Sequence, residues 1–172
     1  CGVEIKTKSK DMVPFDLGAL RWNKIIICTD ADKDGYHIRT LLLTLFRRLL
    51  PTLLREKKVF IAESPLYEIV CKDKSYFAYD EAEKVQIMRQ LEGQKYKVSR
   101  SKGLGENEPE MMRQTTMNPA TRRLISVTPA DEAETDRIFE TLLGDDIAAR
   151  KAFITEYGPQ YMSEIDRSGD DA

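Results

Sequence analysis

Asp30-Ala31-Asp32-Lys33-Asp34-Gly35 sets three carboxylates at two-residue intervals directly after the apolar run Ile25-Ile26-Ile27-Cys28. Near-extended backbone points alternate side chains the same way, so Asp30 and Asp32 can converge on one cation. Neighbouring carboxylates repel, and a divalent ion relieves the repulsion. A donor set made only of oxygen favours magnesium, calcium or manganese over zinc. His37 and Arg39 follow on the next helical turn, within reach of phosphate oxygens beside such an ion. The same residues also suit an acidic turn that caps a helix and needs no ligand.

Other uses of the aspartates fit less well. D-x-D-x-D-G matches the first six positions of an EF-hand loop, but the twelfth is Leu41 where a bidentate glutamate is needed. The element before it is an apolar strand rather than a helix. A phosphatase of the haloacid dehalogenase type also carries D-x-D after a strand. It wants Thr or Val two residues beyond the second Asp, and Asp34 stands there. A magnesium site for phosphodiester chemistry and the capping turn remain.

Charge and composition narrow the classes further. With 41% hydrophobic and 33% charged residues, the 172-residue chain has a globular composition, enough for one domain with a small appendage. No apolar run approaches the roughly 20 residues that span a bilayer. Cys1, Cys28, Cys71 and the single His37 share no zinc-ligand spacing and make a disulfide framework a poor fit, so a reduced, cytoplasmic protein is expected. The net charge of −2 hides an asymmetry. Residues 21–60 hold nine Lys/Arg against four acids, and residues 95–123 hold seven against three. Residues 131–172 hold twelve acids against four bases. Two basic stretches on one face would attract a polyanion; an ordinary solvated surface explains the same counts.

The elements that must position the aspartates can be read from periodicity. Ile25–Cys28 suits a strand buried on both faces of a parallel sheet. A helix is expected over Tyr36–Glu56, with Ile38, Leu41, Leu42, Leu45, Leu49 and Leu53 as its apolar stripe and Pro51 kinking or splitting it. Lys58–Glu63 completes a strand–helix–strand unit. Leu66–Cys71 and Ser75–Tyr79 read as a hairpin, and Asp80 with Glu83 as a capping box for a helix to Leu91. Lys95–Arg100 reads as a strand, Ser101–Glu106 as a glycine turn, and Asn107 with Glu110 as a helix start. A strand over Leu124–Val127, a helix from Thr128 or Pro129 to Leu143, and a last helix over Asp145–Tyr157 come next. Ser163–Ala172 should fray. The expected organisation is an irregular lead-in over 1–20, a core over 21–127 and a helical tail over 128–172.

Ile25–Leu43, IIICTDADKDGYHIRTLLL, closely resembles the TOPRIM segment of bacterial type IIA topoisomerase B subunits, those of gyrase and topoisomerase IV. Further matches occur in order: Ile61–Tyr67 (IAESPLY), Ser101–Glu106 (SKGLGE), Gln114–Leu124 (QTTMNPATRRL), and more loosely Leu142–Asp145 and Arg150–Ile154. The resemblance implies an α/β fold: a TOPRIM, Rossmann-like parallel sheet flanked by helices, with a small helical tail. It implies a region of an ATP-dependent type II DNA topoisomerase that holds Mg2+ at the DNA cleavage–religation site. By resemblance Asp30 and Asp32 are the metal ligands with Asp34 as an accessory, and His37, Arg39 and Lys102 approach the DNA backbone. Implied partners are double-stranded DNA and the A subunit, which carries the attacking tyrosine, in an A2B2 heterotetramer. A non-catalytic role in docking DNA or the partner subunit is the alternative. Pro65-Leu66-Tyr67 reads more simply as a packed hairpin entry.

The sequence departs from the family in places. The E-G-D-S-A motif bearing the family's catalytic glutamate does not occur here, and Cys1-Gly2 resembles the family's residues just after that motif. The expectation is therefore a chain that starts partway through the TOPRIM fold, binds no ATP and is inactive alone. Tyr36 stands where a small residue is common, Lys33 where an apolar one is, and Ser101 and Asn107 where Tyr and Met are usual.

Overall fold

The structure, a computed structural model, describes residues 1–5, 13–101 and 103–162. It divides into two compact units, Cys1–Val127 and Thr128–Ala172. Among the described residues, no helix is long and apolar enough to cross a membrane.

The first unit begins its regular structure with β1 (Ile25–Ile27), α1 (Lys33–Leu49), α2 (Pro51–Arg55) and β2 (Val59–Ala62). β1 and β2 are parallel, with Ile25 opposite Val59 and Ile27 opposite Ile61. Parallel neighbours require a crossover, and the two helices supply it. β6 (Leu124–Ser126) lies on the far side of β2 and antiparallel to it, giving the order β1-β2-β6. The fold is thus mixed α/β, and among the described strands β1 and β2 are the parallel pair. α1 starts three residues before the expected Tyr36, because the Asp32 carboxylate accepts the Gly35 N–H at 2.7 Å and caps it. Pro51 splits the helical run, α1 ending at Leu49 and α2 opening on the proline.

The core of this sheet is Ile27, Phe46, Leu53, Leu54 and Val59, with Phe15, Leu17, Leu20, Leu42, Leu43 and Leu50 packed around it. The expected α1 stripe needs correction. Leu42 faces the core, but Ile38, Leu41 and Leu45 are 51%, 52% and 44% exposed. α1 is apolar on more than one face, and the sheet selects the arc through Leu42, Leu43, Phe46 and Leu50.

The first residues do more than lead in. α2 has no side-chain cap of its own. Glu4 supplies one from 48 residues away: one carboxylate oxygen accepts the Thr52 N–H and the other the Thr52 hydroxyl, both at 2.8 Å. The Glu4 N–H donates to the Leu49 carbonyl at 2.8 Å, and Arg55 approaches the Glu4 carboxylate at 3.5 Å. Lys6, Lys8 and Lys10 lie outside the described residues.

A second, antiparallel sheet has the order β4-β3-β5, from β3 (Tyr67–Cys71), β4 (Lys74–Ala78) and β5 (Lys97–Arg100). The expected hairpin pairs with Tyr67 opposite Ala78, and β5 takes the other edge of β3 with Tyr67 opposite Arg100. Ile69, Cys71, Ala78 and Leu91 form its core. Asp80 caps α3 (Glu81–Gln90), accepting the Glu83 N–H at 2.7 Å. The Glu83 carboxylate reaches back one residue further than in a standard box, to the Tyr79 N–H at 3.0 Å. Its other oxygen takes Arg123, whose guanidinium lies 3.8 Å from the Tyr79 ring centroid, at a distance of 2.6 Å.

Asn107 does not start a helix as expected. α4 (Pro109–Met112) opens on Pro109, whose missing N–H and fixed φ suit a first turn, while the Asn107 amide oxygen accepts the Ser101 hydroxyl at 2.6 Å. A single π turn, Arg113–Met117, continues from α4.

In the second unit Asp131, rather than Thr128 or Pro129, caps α5 (Glu132–Leu143) through the Glu134 N–H at 2.7 Å. Asp146 caps α6 (Ile147–Tyr157). The Arg150 guanidinium donates to the Gly144 carbonyl at the end of α5. Residues 163–172, expected to fray, lie outside the described residues.

Glu4→Ala should remove the cap of α2 and lower stability by about 1–2 kcal/mol in chemical denaturation, the usual range for a lost helix cap. Glu4→Gln, which keeps one acceptor oxygen, should lose less. Equal losses for the two variants would show that the capping oxygen is not what Glu4 contributes.

Candidate metal and nucleic-acid site

The strand end is where ligands collect in α/β sheets, because backbone groups and loop side chains there are free of the ladder. β1 ends at Ile27, and Thr29–Asp32 form the connection to α1. Thr29 is buried, Asp30 and Asp32 are half-buried, and Asp34 and His37 are exposed.

Asp30 is fixed from two sides. Its carboxylate oxygen accepts the Leu104 N–H at 2.7 Å, a bond between residues 74 apart in sequence. Gly103 lies flat against the same carboxylate, so that a Cβ there would stand 3.2 Å from an Asp30 oxygen. Behind the carboxylate, Gly35 crowds the Asp30 main chain: a Cβ at Gly35 would lie 2.0 Å from the Asp30 carbonyl oxygen. Only glycine permits that approach. Gly103 is extended, with φ −173°, so its role is space rather than a left-handed turn.

Asp32 divides its work. One oxygen caps α1 through Gly35, so the capping function expected from sequence is real for this residue. Asp34 sits in the first turn of α1, where a negative charge opposes the positive helix end favourably. Among the described residues no group of three His, Cys, Asp or Glu converges on one point. Asp30 and Asp32 each have one carboxylate oxygen braced by a backbone N–H, and Asp34 stands beside them on the first turn of α1. Two carboxylates and no softer ligand fit magnesium, which keeps several of its waters.

The expected DNA-facing residues are distributed differently. His37 is exposed on α1. Arg39 is half-buried: its Nη2 donates to the Thr29 hydroxyl at 3.2 Å and its guanidinium carbon lies 5.2 Å from the Tyr36 ring centroid. It lines a cavity of about 150 Å3 together with Ser64 and Tyr79. Lys102 lies outside the described residues. Pro65 is fully buried, Leu66 bonds Ala78 and Tyr67 opens β3, in keeping with a packed hairpin entry.

Sequence reasoning misses Leu104 as the donor that braces Asp30, and Thr29 as the anchor of Arg39. No side-chain signal announces a backbone donor. The glycines on either side of Leu104 are the available hint.

Known proteins match the sequence over most of its length. Residues 3–64 match the Toprim domain family, and residues 93–155 match the family described as DNA gyrase B subunit, carboxyl terminus. The chain is 46% identical over 152 residues to the DNA gyrase B subunit of Thermotoga maritima, covering 88% of this chain and 24% of that protein. It is 47% identical over 143 residues to the DNA gyrase B subunit of Thermus thermophilus, covering 83% and 23%. It is 45% identical over 142 residues to the DNA topoisomerase 4 B subunit of Mycoplasma capricolum, covering 83% and 22%. The chain thus spans under a quarter of the length of these relatives.

Gly35→Ala should unfold or severely destabilise the chain, because the clash is with backbone. Gly103→Ala, which meets a side-chain carboxylate that can shift, should cost less, about 1–2 kcal/mol. Thermal melts of the two variants give the order, and a Gly35→Ala protein as stable as the parent would show that the β1–α1 connection is not so tightly built. With Asp30 braced against the Gly103–Leu104 turn, and with both sequence families matched in order along it, the chain belongs to the B-subunit family of DNA gyrase and topoisomerase IV, within its Toprim and carboxyl-terminal regions.

Proposed function

We propose that this region serves an ATP-dependent type II DNA topoisomerase by holding Mg2+ at the site where DNA is cut and rejoined. The observation that carries the reading is the braced pair Asp30 and Asp32 at the carboxyl end of β1. Asp30 and Asp32 hold the ion, and Asp34 contributes negative charge nearby as an accessory. When bound, magnesium supplies Lewis-acid stabilisation to the oxygens that attack and leave the scissile phosphate.

The chain's own residues orient and attract. The Leu104 N–H keeps the Asp30 carboxylate turned to one side, and the Gly35 N–H does the same for Asp32. His37, Arg39 and Lys102 offer donors to the DNA backbone, reading charge rather than sequence. The nucleophile is a tyrosine of the A subunit, in an A2B2 assembly on double-stranded DNA in the cytoplasm. In that enzyme ATP is bound outside the regions matched by this chain. The alternative, a docking module without metal, is favoured by one observation: Asp32 already has a structural task as a helix cap.

Asp32→Asn separates the two tasks. Asparagine caps a helix as well as aspartate does, so stability should hold within about 0.5 kcal/mol while metal binding falls. Manganese titration followed by NMR should broaden Thr29–Gly35 in the parent at low affinity and at least tenfold more weakly in Asp32→Asn and Asp30→Asn. Broadening confined to other regions, or unchanged in both variants, selects the docking module. For DNA, Arg39→Ala and Lys102→Ala should each weaken binding evenly across sequences and reduce the salt slope by about 1. Affinity that does not respond to salt would rule out the electrostatic part of the reading.

A further inference from the structure

The cavity beside Arg39 has a chemistry that the metal pair does not use. It lies beyond the carboxyl ends of β1 and β2, walled by Thr29, Arg39, Glu63, Ser64 and Tyr79, with Tyr36 at its side. Its volume, about 150 Å3, corresponds to about five waters at their liquid share of space. Two polar atoms of its wall, Arg39 Nε and Ser64 Oγ, are buried without a hydrogen-bond partner among the described residues. Such atoms are rare, because an unpaired buried donor has given up its water without a replacement, at greater cost when the group is charged. Arg39 has Thr29 and the Tyr36 ring as neighbours, and neither carries a charge to balance its own.

A half-buried guanidinium that makes no ion pair among the described residues, a buried hydroxyl free to rotate and a neighbouring phenol are three donors around one small space. Burial pushes the Tyr79 phenol up, with Arg123 opposing, so it stays a neutral O–H donor. Guanidinium and hydroxyl donors together match a tetrahedral oxyanion. Glu63 is the opposing group on the same wall, and its carboxylate sets an upper bound on anion affinity. Arg123 stands within electrostatic range of Glu63 and offsets part of that charge.

We infer that this cavity is a phosphate-oxyanion site, with Arg39 as the charge partner and Ser64 and Tyr79 as neutral donors. It is separate from the metal pair, since it is built without Asp30, Asp32 or a cation. The group it takes is a phosphate, supplied either as free inorganic phosphate or as a phosphodiester of DNA entering the cavity.

The test is a titration of the 172-residue chain with inorganic phosphate, without divalent metal and at constant ionic strength held with chloride. Amide NMR signals of Thr29, Ser64 and Tyr79 are followed. Saturable shifts are expected. Arg39→Gln should weaken binding at least about tenfold and Ser64→Ala about two- to tenfold, as for charge-assisted and neutral hydrogen bonds. Glu63→Gln should tighten it about two- to threefold by removing a like charge. A short DNA duplex replaces phosphate in the second arm. Shifts with duplex and none with phosphate identify the phosphodiester as the source, provided Arg39→Gln removes them. No saturable shift with either ligand overturns the site. So does unchanged binding in Arg39→Gln, or weaker binding in Glu63→Gln. Because Asp30→Asn and Asp32→Asn remove negative charges beside the cavity, they should keep or tighten phosphate binding while metal binding falls, so loss of metal binding and loss of this site remain distinguishable.

Discussion

The hydrogen bond from Leu104 to the Asp30 carboxylate joins the two sheets at the point where chemistry is expected. Asp30 follows a strand of the parallel pair, and Leu104 follows β5 of the antiparallel sheet. A carboxylate can make this bond only if the turn comes within hydrogen-bonding distance, and Gly103 eases that approach, since a Cβ there would press on the Asp30 carboxylate at 3.2 Å. Gly35 imposes the same constraint from behind, on the Asp30 main chain. Gly35, Gly103 and Leu104, the last of them 74 residues from Asp30, thus fix where one carboxylate points. The rest of the first unit can be understood as the framework that holds these positions together.

That framework uses a second link of a different kind. The main chain near Arg123 pairs with the end of β2, through the Glu63 N–H and the Arg123 carbonyl at 3.1 Å. The Arg123 side chain instead reaches the start of α3, on Glu83 and over the Tyr79 ring. Glu83 is itself held by the Tyr79 N–H. Arg123 and Glu83 are 45% and 30% exposed, so as an ion pair the contact contributes modestly. Its value is geometric: a planar guanidinium stacked on a ring and bonded to a tethered carboxylate has few alternative positions. The loop lying between the two links, Glu63–Leu66, carries Ser64 and the buried Pro65.

Much of this is legible in the sequence. The strand before Asp30, the split at Pro51, the hairpin and the Asp80 cap all follow from local patterns, because each is decided by neighbours within a few residues. Local pattern fails where a residue is claimed from afar. Glu4 reads as part of an irregular lead-in because its partner, Thr52, is 48 residues away. Asn107 reads as a helix cap but is taken by Ser101, leaving Pro109 to open the helix. The α1 stripe misleads because leucine occupies more than one face, and periodicity cannot choose between faces when both are apolar. At the site, sequence identifies the residue types but not their arrangement. Three evenly spaced aspartates suggest one cluster. In the structure the helix begins at Lys33, so Asp34 turns with the helix while Asp32 stays outside it as its extended N-cap.

The capping of α1 by Asp32 explains why a metal site and a helix start can share residues. An N-cap requires an extended residue whose side-chain oxygen faces the first turn, and Asp32 has φ −130° and ψ −177°. Capping occupies one oxygen and leaves the carboxylate's charge in place. It also fixes the side-chain rotamer, so a cation would meet a ligand already oriented. Asp30 is prepared in the same way by Leu104. Each carboxylate thus gives one oxygen to a backbone N–H and keeps the other free. Arg39, nearby on α1, is directed elsewhere: its Nη2 is turned to Thr29 and its guanidinium toward the cavity with Ser64. Positive and negative groups that could have neutralised one another are held apart by the local geometry, leaving each available to a charged ligand.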